Sequence, residues 1–124
     1  DVRICTPHIP DKWYVHSVTR AYYETLVRHG VKIYEYTPGF DHAKTFVSDD
    51  IISVIGTINL DYRSLYLHFE CGVLLYNAPS VLEVRDDFLT TLHQCTQITL
   101  TDCRSVRLPR RLGRAVLRTL APLM

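Results

Sequence analysis

The chain has 124 residues, 47% of them apolar and 22% charged, with a formal net charge of +1 at pH 7. That balance belongs to a folded globular piece and excludes a disordered tail or a collagen-like repeat. The length holds one domain and excludes two, and no apolar run approaches the roughly 18 residues that a membrane-spanning helix needs. Val2 to Thr6 reads as a strand directly after Asp1, with no signal peptide before it. Residues 1–124 are therefore expected to be one domain excerpted from a longer protein.

After this first strand, Pro7 to Pro10 forms a turn, and a helical stretch runs from about Asp11 to His29, with Gly30 where a C-cap belongs. Val31 to Tyr36 alternates with period two. Thr37-Pro38-Gly39 is a turn, and Ala43 to Ser48 and Ile51 to Gly56 read as two strands around Asp49-Asp50. A polar loop leads to an apolar strand, Phe69 to Tyr76, and Ala78-Pro79-Ser80 opens a second helix that ends near Gln94. Strands alternating with helices predict the α/β class, a mixed β-sheet flanked by helices.

The four cysteines form no CxxC pair, and Cys5 and Cys71 sit in apolar strand-like segments, so buried thiols are expected rather than disulfides. Residues 104–118 carry six arginines and no acid, which leaves the rest of the chain net acidic. From Val106 these arginines interleave with leucines and valines at helical spacing, with Pro109 in the first turn, so 104–124 reads as a basic amphipathic segment. Such a helix can rest on an anionic lipid surface through Arg110, Arg111 and Arg114. It can equally pack on its own domain with the arginines facing water.

The chemistry concentrates in residues 42–59. Side chains alternate along a strand, so His42 and Lys44 share a face. Thr57 and Asn59, just past the next strand, share a face in the same way. Lys44 offers charge for phosphoryl oxygens, Thr57 and Asn59 offer fixed donors, and His42 can attack phosphorus or protonate a leaving alcohol. Glu70 can accept a hydrogen bond from the imidazole and fix its tautomer. Taken singly, each is an ordinary loop or strand residue. Taken together, His42-x-Lys44-x(4)-Asp49-x(6)-Gly56-Thr57-x-Asn59 fixes seven positions in eighteen residues.

This pattern resembles the HKD signature of the phospholipase D superfamily, HxKx(4)Dx(6)G(G/S)xN, with Thr57 keeping a hydroxyl at the small-residue position. The stretches Gly30 to Phe40, His42 to Thr45 and Asn59 to Leu65, with the closing Ala121-Pro122-Leu123-Met124, resemble more narrowly the C-terminal half of bacterial cardiolipin synthases. Two residues depart from that pattern. His68 stands where Asn is usual, and Asp41 precedes the motif His where an apolar residue is common, adding negative charge beside an anion site.

The resemblance implies one half of a two-half fold, in which two HKD motifs meet across a pseudo-twofold axis. One His becomes a phosphohistidine and the other, here His42, acts as the general acid. Lys44 and Asn59 would bind phosphoryl oxygens, with Thr57 assisting; Glu70 would orient His42, and Asp49 and Gly56 would be structural. The implied reaction transfers a phosphatidyl group between two phosphatidylglycerol molecules, giving cardiolipin and glycerol at the bacterial cytoplasmic membrane. The implied partners are phosphatidylglycerol, an anionic membrane surface, and the missing N-terminal half or a second copy of the chain, with no nucleic acid. No cofactor or metal is called for, and none of the six His falls in a zinc-site spacing. Alternatives are a homodimeric phosphodiesterase or nuclease of the same superfamily, and a non-catalytic lipid-binding half. The excerpt alone is expected to be inactive.

Overall fold

A computed structural model describes residues 1–123, with the side chains of Arg111 and Leu123 outside the described set. Arg3–Pro7 (β1), Trp13–Arg28 (α1) and Lys32–Tyr36 (β2) form a strand-helix-strand unit, and β1 and β2 pair in parallel. The helix stops where the sequence places its cap. Gly30 adopts φ +88°, and its N–H donates to the Val27 carbonyl at 3.1 Å, a left-handed turn that costs glycine no steric strain. Cys95–Ile98 (β6) adds antiparallel to the other side of β2, giving the order β1-β2-β6.

Thr45–Ser48 (β3), Ile52–Gly56 (β4) and Gly72–Tyr76 (β5) form a second, wholly antiparallel sheet. The class is α/β as expected, with the strands divided between two sheets. The β3–β4 hairpin turns through Asp49 and Asp50, both with positive φ (51° and 59°), and Ile51 N–H donates to the Ser48 carbonyl at 3.0 Å. Asp residues tolerate this conformation better than most. Arg85 of Pro79–Leu92 (α2) holds Asp50 at 2.8 Å, and α2 packs against strands of both sheets with Val81 fully buried.

Between β4 and β5 the chain makes one π-helical turn, Arg63–Leu67, begun by Asp61, whose Oδ1 accepts the Ser64 N–H at 2.7 Å. Leu100–Arg104 (α3) opens on a capping box between Thr99 and Asp102. Leu108–Thr119 (α4) then packs on α1, and Ala121–Leu123 closes in a 3₁₀ turn.

Cys5 and Cys95 lie on either side of β2, with sulfurs 3.6 Å apart and both thiols free. Burial, reinforced by the neighbouring thiol, pushes Cys5 up to about 12. Cys71 corrects the expectation of a buried thiol. It lies one residue before β5 and is exposed.

The core is small. Val18, Tyr23, Ile33, Val81 and Ala121 are the buried apolar residues among those described, and the accessible area is 8743 Å². A compact monomer of this mass exposes about 6,800 Å². Exposed apolar side chains contribute to the surplus at several places, the second sheet among them. Phe46, Ile52, Leu74 and Tyr76 alternate onto one face of it, and all four are exposed.

Candidate active site

The three segments of the motif converge at one end of the β3-β4-β5 sheet. Pairing continues past β3, because Gly56 N–H donates to the Lys44 carbonyl at 3.2 Å. Pairing also continues past β4, where Thr57 N–H donates to the Cys71 carbonyl at 2.9 Å. Lys44 thus lies beside Gly56, which lies opposite Gly72. Gly56 is there because nothing larger fits: a Cβ on it would stand 2.3 Å from the Cys71 carbonyl oxygen and 2.6 Å from Gly72 Cα, both backbone atoms. The glycine lets β5, with Glu70 just before it, lie close against the end of β4.

His42 is exposed, its ring stacked on Phe40 with centroids 5.7 Å apart and planes at 19°. Lys44 Nζ donates to the His42 carbonyl at 2.7 Å, which folds the ammonium back toward the imidazole's own residue. The Asp41 carboxylate accepts the Ala43 N–H at 3.0 Å. It is used in a local turn of the kind Asp side chains favour.

Thr57 has a larger structural part than its expected assisting role. Its hydroxyl donates to Glu70 and accepts the Cys71 N–H at 3.0 Å, tying the end of β4 to the start of β5. Hydrogen bonds from Thr57 and Ser64 hold the Glu70 carboxyl below the usual range. The imidazole that Glu70 meets is that of His68, with Nδ1 at 3.4 Å; no hydrogen bond joins it to His42 among the described residues. Asn59 is exposed and makes no side-chain hydrogen bond among the described residues, free to meet a ligand. Asp49 lies at the far end of β3, its carboxylate accepting from the Ser48 hydroxyl at 3.1 Å. Arg110 and Arg114 are on α4 against α1, and the Arg111 side chain lies outside the described residues.

A second polar cluster escaped the sequence reading. Glu35, its side chain 3% exposed, takes a two-pronged ion pair from Arg20 (2.8 and 2.5 Å) and a contact from His8 Nδ1 at 2.8 Å. Beside it the Tyr23 and Thr6 hydroxyls share a 2.7 Å hydrogen bond. Burial drives the Glu35 carboxyl up, but the hydrogen bonds from Arg20 and His8 outweigh it and leave the group below the usual carboxylate range. The readable signal is parity: Glu35 shares the inward face of β2 with Ile33. Among the described residues no group of His, Cys, Asp and Glu could hold a metal ion.

Residues 1–92 match the family described as cardiolipin synthase, PLD-like domain. The chain belongs to that family. Along its whole length it is 44% identical to an uncharacterized protein of Streptococcus mutans, covering 27% of it. It is 38% identical to a cardiolipin synthase of Clostridium perfringens strain SM101 and 40% identical to one of Halalkalibacterium halodurans, covering 26% and 25% of them. As a cardiolipin synthase, PLD-like domain, the chain spans about a quarter of the length of these relatives. His68, which departs from the resembled pattern, is the imidazole that contacts Glu70.

Proposed function

We propose that this chain supplies one half of a phosphatidyltransferase site that makes cardiolipin from two phosphatidylglycerol molecules. The observation that carries this reading is the convergence of His42, Lys44 and the Thr57–Asn59 segment on one sheet end, beside an apolar sheet face that nothing covers. The occupant of that face is the companion HKD half of the same parent chain.

In the reaction, the companion half's imidazole attacks phosphorus of one phosphatidylglycerol. The P–O bond to glycerol breaks as the P–N bond forms, and His42 gives its proton to the departing glycerol oxygen. His42 then takes the proton from the primary hydroxyl of the second phosphatidylglycerol, whose oxygen attacks phosphorus and expels the companion imidazole. Lys44 and Asn59 stabilise the charge on the non-bridging oxygens through both steps. Glu70 and Thr57 hold the β4–β5 junction that carries Asn59. The site works at the surface of a bacterial membrane, where its lipid substrate resides.

The test is product analysis of the full-length chain on phosphatidylglycerol vesicles, wild type beside His42→Ala, following cardiolipin and glycerol together. Both products should fall by about 10²–10⁴-fold in the variant, with folding unchanged because the ring is exposed. Undiminished cardiolipin would remove His42 from the chemistry, and phosphatidic acid in place of cardiolipin would make the site hydrolytic.

A further inference from the structure

Helix α4 turns its arginines toward its own domain. The apolar ridge Leu108, Leu112, Val116 and Leu120 is exposed, while Arg110, Arg114 and Arg118 lie toward α1. That corrects the expectation of a helix packed with its arginines facing water, and it sets cation against cation. α1 brings Arg20 and His16 to this region, and its one acid, Glu24, is taken by Arg28 at 2.6 Å and Arg104 at 3.5 Å. Arg118 is met by the Tyr22 ring, 4.2 Å from its centroid. Arg114 is half-buried and, among the described residues, pairs with no carboxylate. It lines two cavities at once, one of about 300 Å³ shared with Arg110 and Trp13, the other of about 310 Å³ shared with Arg20 and His8. The acids on the second cavity are engaged already, Glu35 by Arg20 and His8 and Asp102 by the cap of α3. Burial, then the Arg20 and Arg110 guanidiniums, pushes Arg114 below its ordinary value, and burial with Arg20 and Arg114 does the same to His16.

We propose that the cleft around Arg114, between α1 and α4, binds a water-soluble phosphate group, either inorganic phosphate or a small phosphomonoester. Like charges one helical turn apart repel, and here a third guanidinium faces them from α1; a dianion seated among them turns that repulsion into attraction. The donors are in place. Arg20 commits Nε and Nη2 to Glu35 and keeps Nη1, and Arg110 and Arg114 offer two further forks from α4. A tetrahedral oxyanion has acceptors enough for forks from both helices, whereas a carboxylate has only two oxygens. The cavities far exceed one phosphate group and leave room for an ester substituent beside the Trp13 ring. A flat lipid surface does not fit the site, because the side of α4 turned away from the domain carries the leucine ridge and Arg114 stands between the helices. The bound anion joins α4 to α1 and, through the Arg20–Glu35 pair, to β2, so it acts as an effector on the docking of the C-terminal segment. Neither cavity is lined by His42, Lys44 or Asn59, and the proposal does not depend on which reaction the half-site performs.

The test is calorimetric titration of the full-length chain with inorganic phosphate, and separately with glycerol 3-phosphate, at constant ionic strength. A Lys44→Ala background weakens phosphate contacts at the candidate active site. In that background Arg114→Gln should weaken binding by about tenfold or more, and Arg110→Gln should weaken it less. Thermal unfolding gives a second reading. In chloride the Arg114→Gln chain should be at least as stable as the wild type, because a repelled charge has gone, and in phosphate the wild type should gain and overtake it. The general salting effect of phosphate raises both midpoints alike and does not reverse their order. Equal affinity with and without Arg114, no phosphate heat at all, or an Arg114→Gln chain destabilised equally in both salts would overturn the proposal. So would a response to phosphatidic acid in vesicles without one to either soluble ion, which would make a lipid headgroup the source. Since the readout is binding rather than turnover, loss of the transferase reading would leave it standing, and the reverse.

Discussion

The two sheets solve the same problem in opposite ways. In β1-β2-β6 the buried carboxylate is paired: Glu35 meets Arg20 and His8, with Tyr23 buried alongside. In β3-β4-β5 the reverse holds, with apolar side chains in water and the polar site residues His42 and Asn59 unpaired at the sheet end. The first sheet is finished within this chain. The second leaves an apolar face open, and the lesson is that the candidate site residues stand at the end of that open sheet, where the proposed companion half would complete and dry the site.

The largest effect that sharpens this contrast lies in the finished sheet. Arg20→Ala takes the guanidinium from the buried Glu35 carboxylate, and should cost about 3–5 kcal/mol in urea unfolding of the full-length chain; a loss below 1 kcal/mol would mean that water reaches the cluster. The same carboxyl sets an acid limit. Its folded pKa is depressed, so its contribution is present above its unfolded value and is lost as pH falls through the folded one. Stability should drop on acidification below roughly pH 4.5, and Glu35→Gln should flatten that drop.

Leu74→Asp addresses the unfinished sheet directly. With Leu74 65% exposed in this chain, the change is within about 0.5 kcal/mol if the face stays open. If the companion half covers it, the full-length chain should lose about 2–3 kcal/mol and become sensitive to limited proteolysis between its halves. Gly56→Ala should cost about 1–3 kcal/mol, because its Cβ has only backbone to push against, and transfer should fall with it as the end of β4, which carries Thr57 and Asn59, parts from β5. The smallest change is a gain. Ser53, fully buried near the start of β4, has a hydroxyl with no hydrogen-bond partner among the described residues, so Ser53→Ala should raise stability by about 1 kcal/mol, measured by thermal unfolding.

What could be read from sequence follows the range of the forces involved. The Asp49-Asp50 hairpin, the Gly30 cap and the spacing of the motif are local, and all three stand within two residues of their expected places. β6 was missed, since Cys95-Thr96-Gln97-Ile98 has little alternation and becomes a strand only because β2 offers it an edge. α3 did carry a readable signal, the Thr99-x-x-Asp102 capping box. The Arg20–Glu35 pair joins a helix to a strand and is legible only as a charge on an inward parity. The arginine pattern of α4 reveals an amphipathic helix but not which side its domain will take; that depends on Tyr22 and Trp13 of α1.

Strand pairing in the two sheets also differs in reach along the chain. The β3-β4-β5 meander closes through neighbouring segments, whereas β2 meets β6 by joining residues as distant as Ile33 and Ile98. Loop closure makes the distant pairing slower. The unfinished sheet is therefore the earlier to assemble, displaying Phe46, Leu74 and Tyr76 before anything shields them, and a newly made chain is most prone to clump in that interval. A companion half already synthesised and folded would shorten it, which gives the order of the halves along a parent chain a consequence for yield as well as for catalysis.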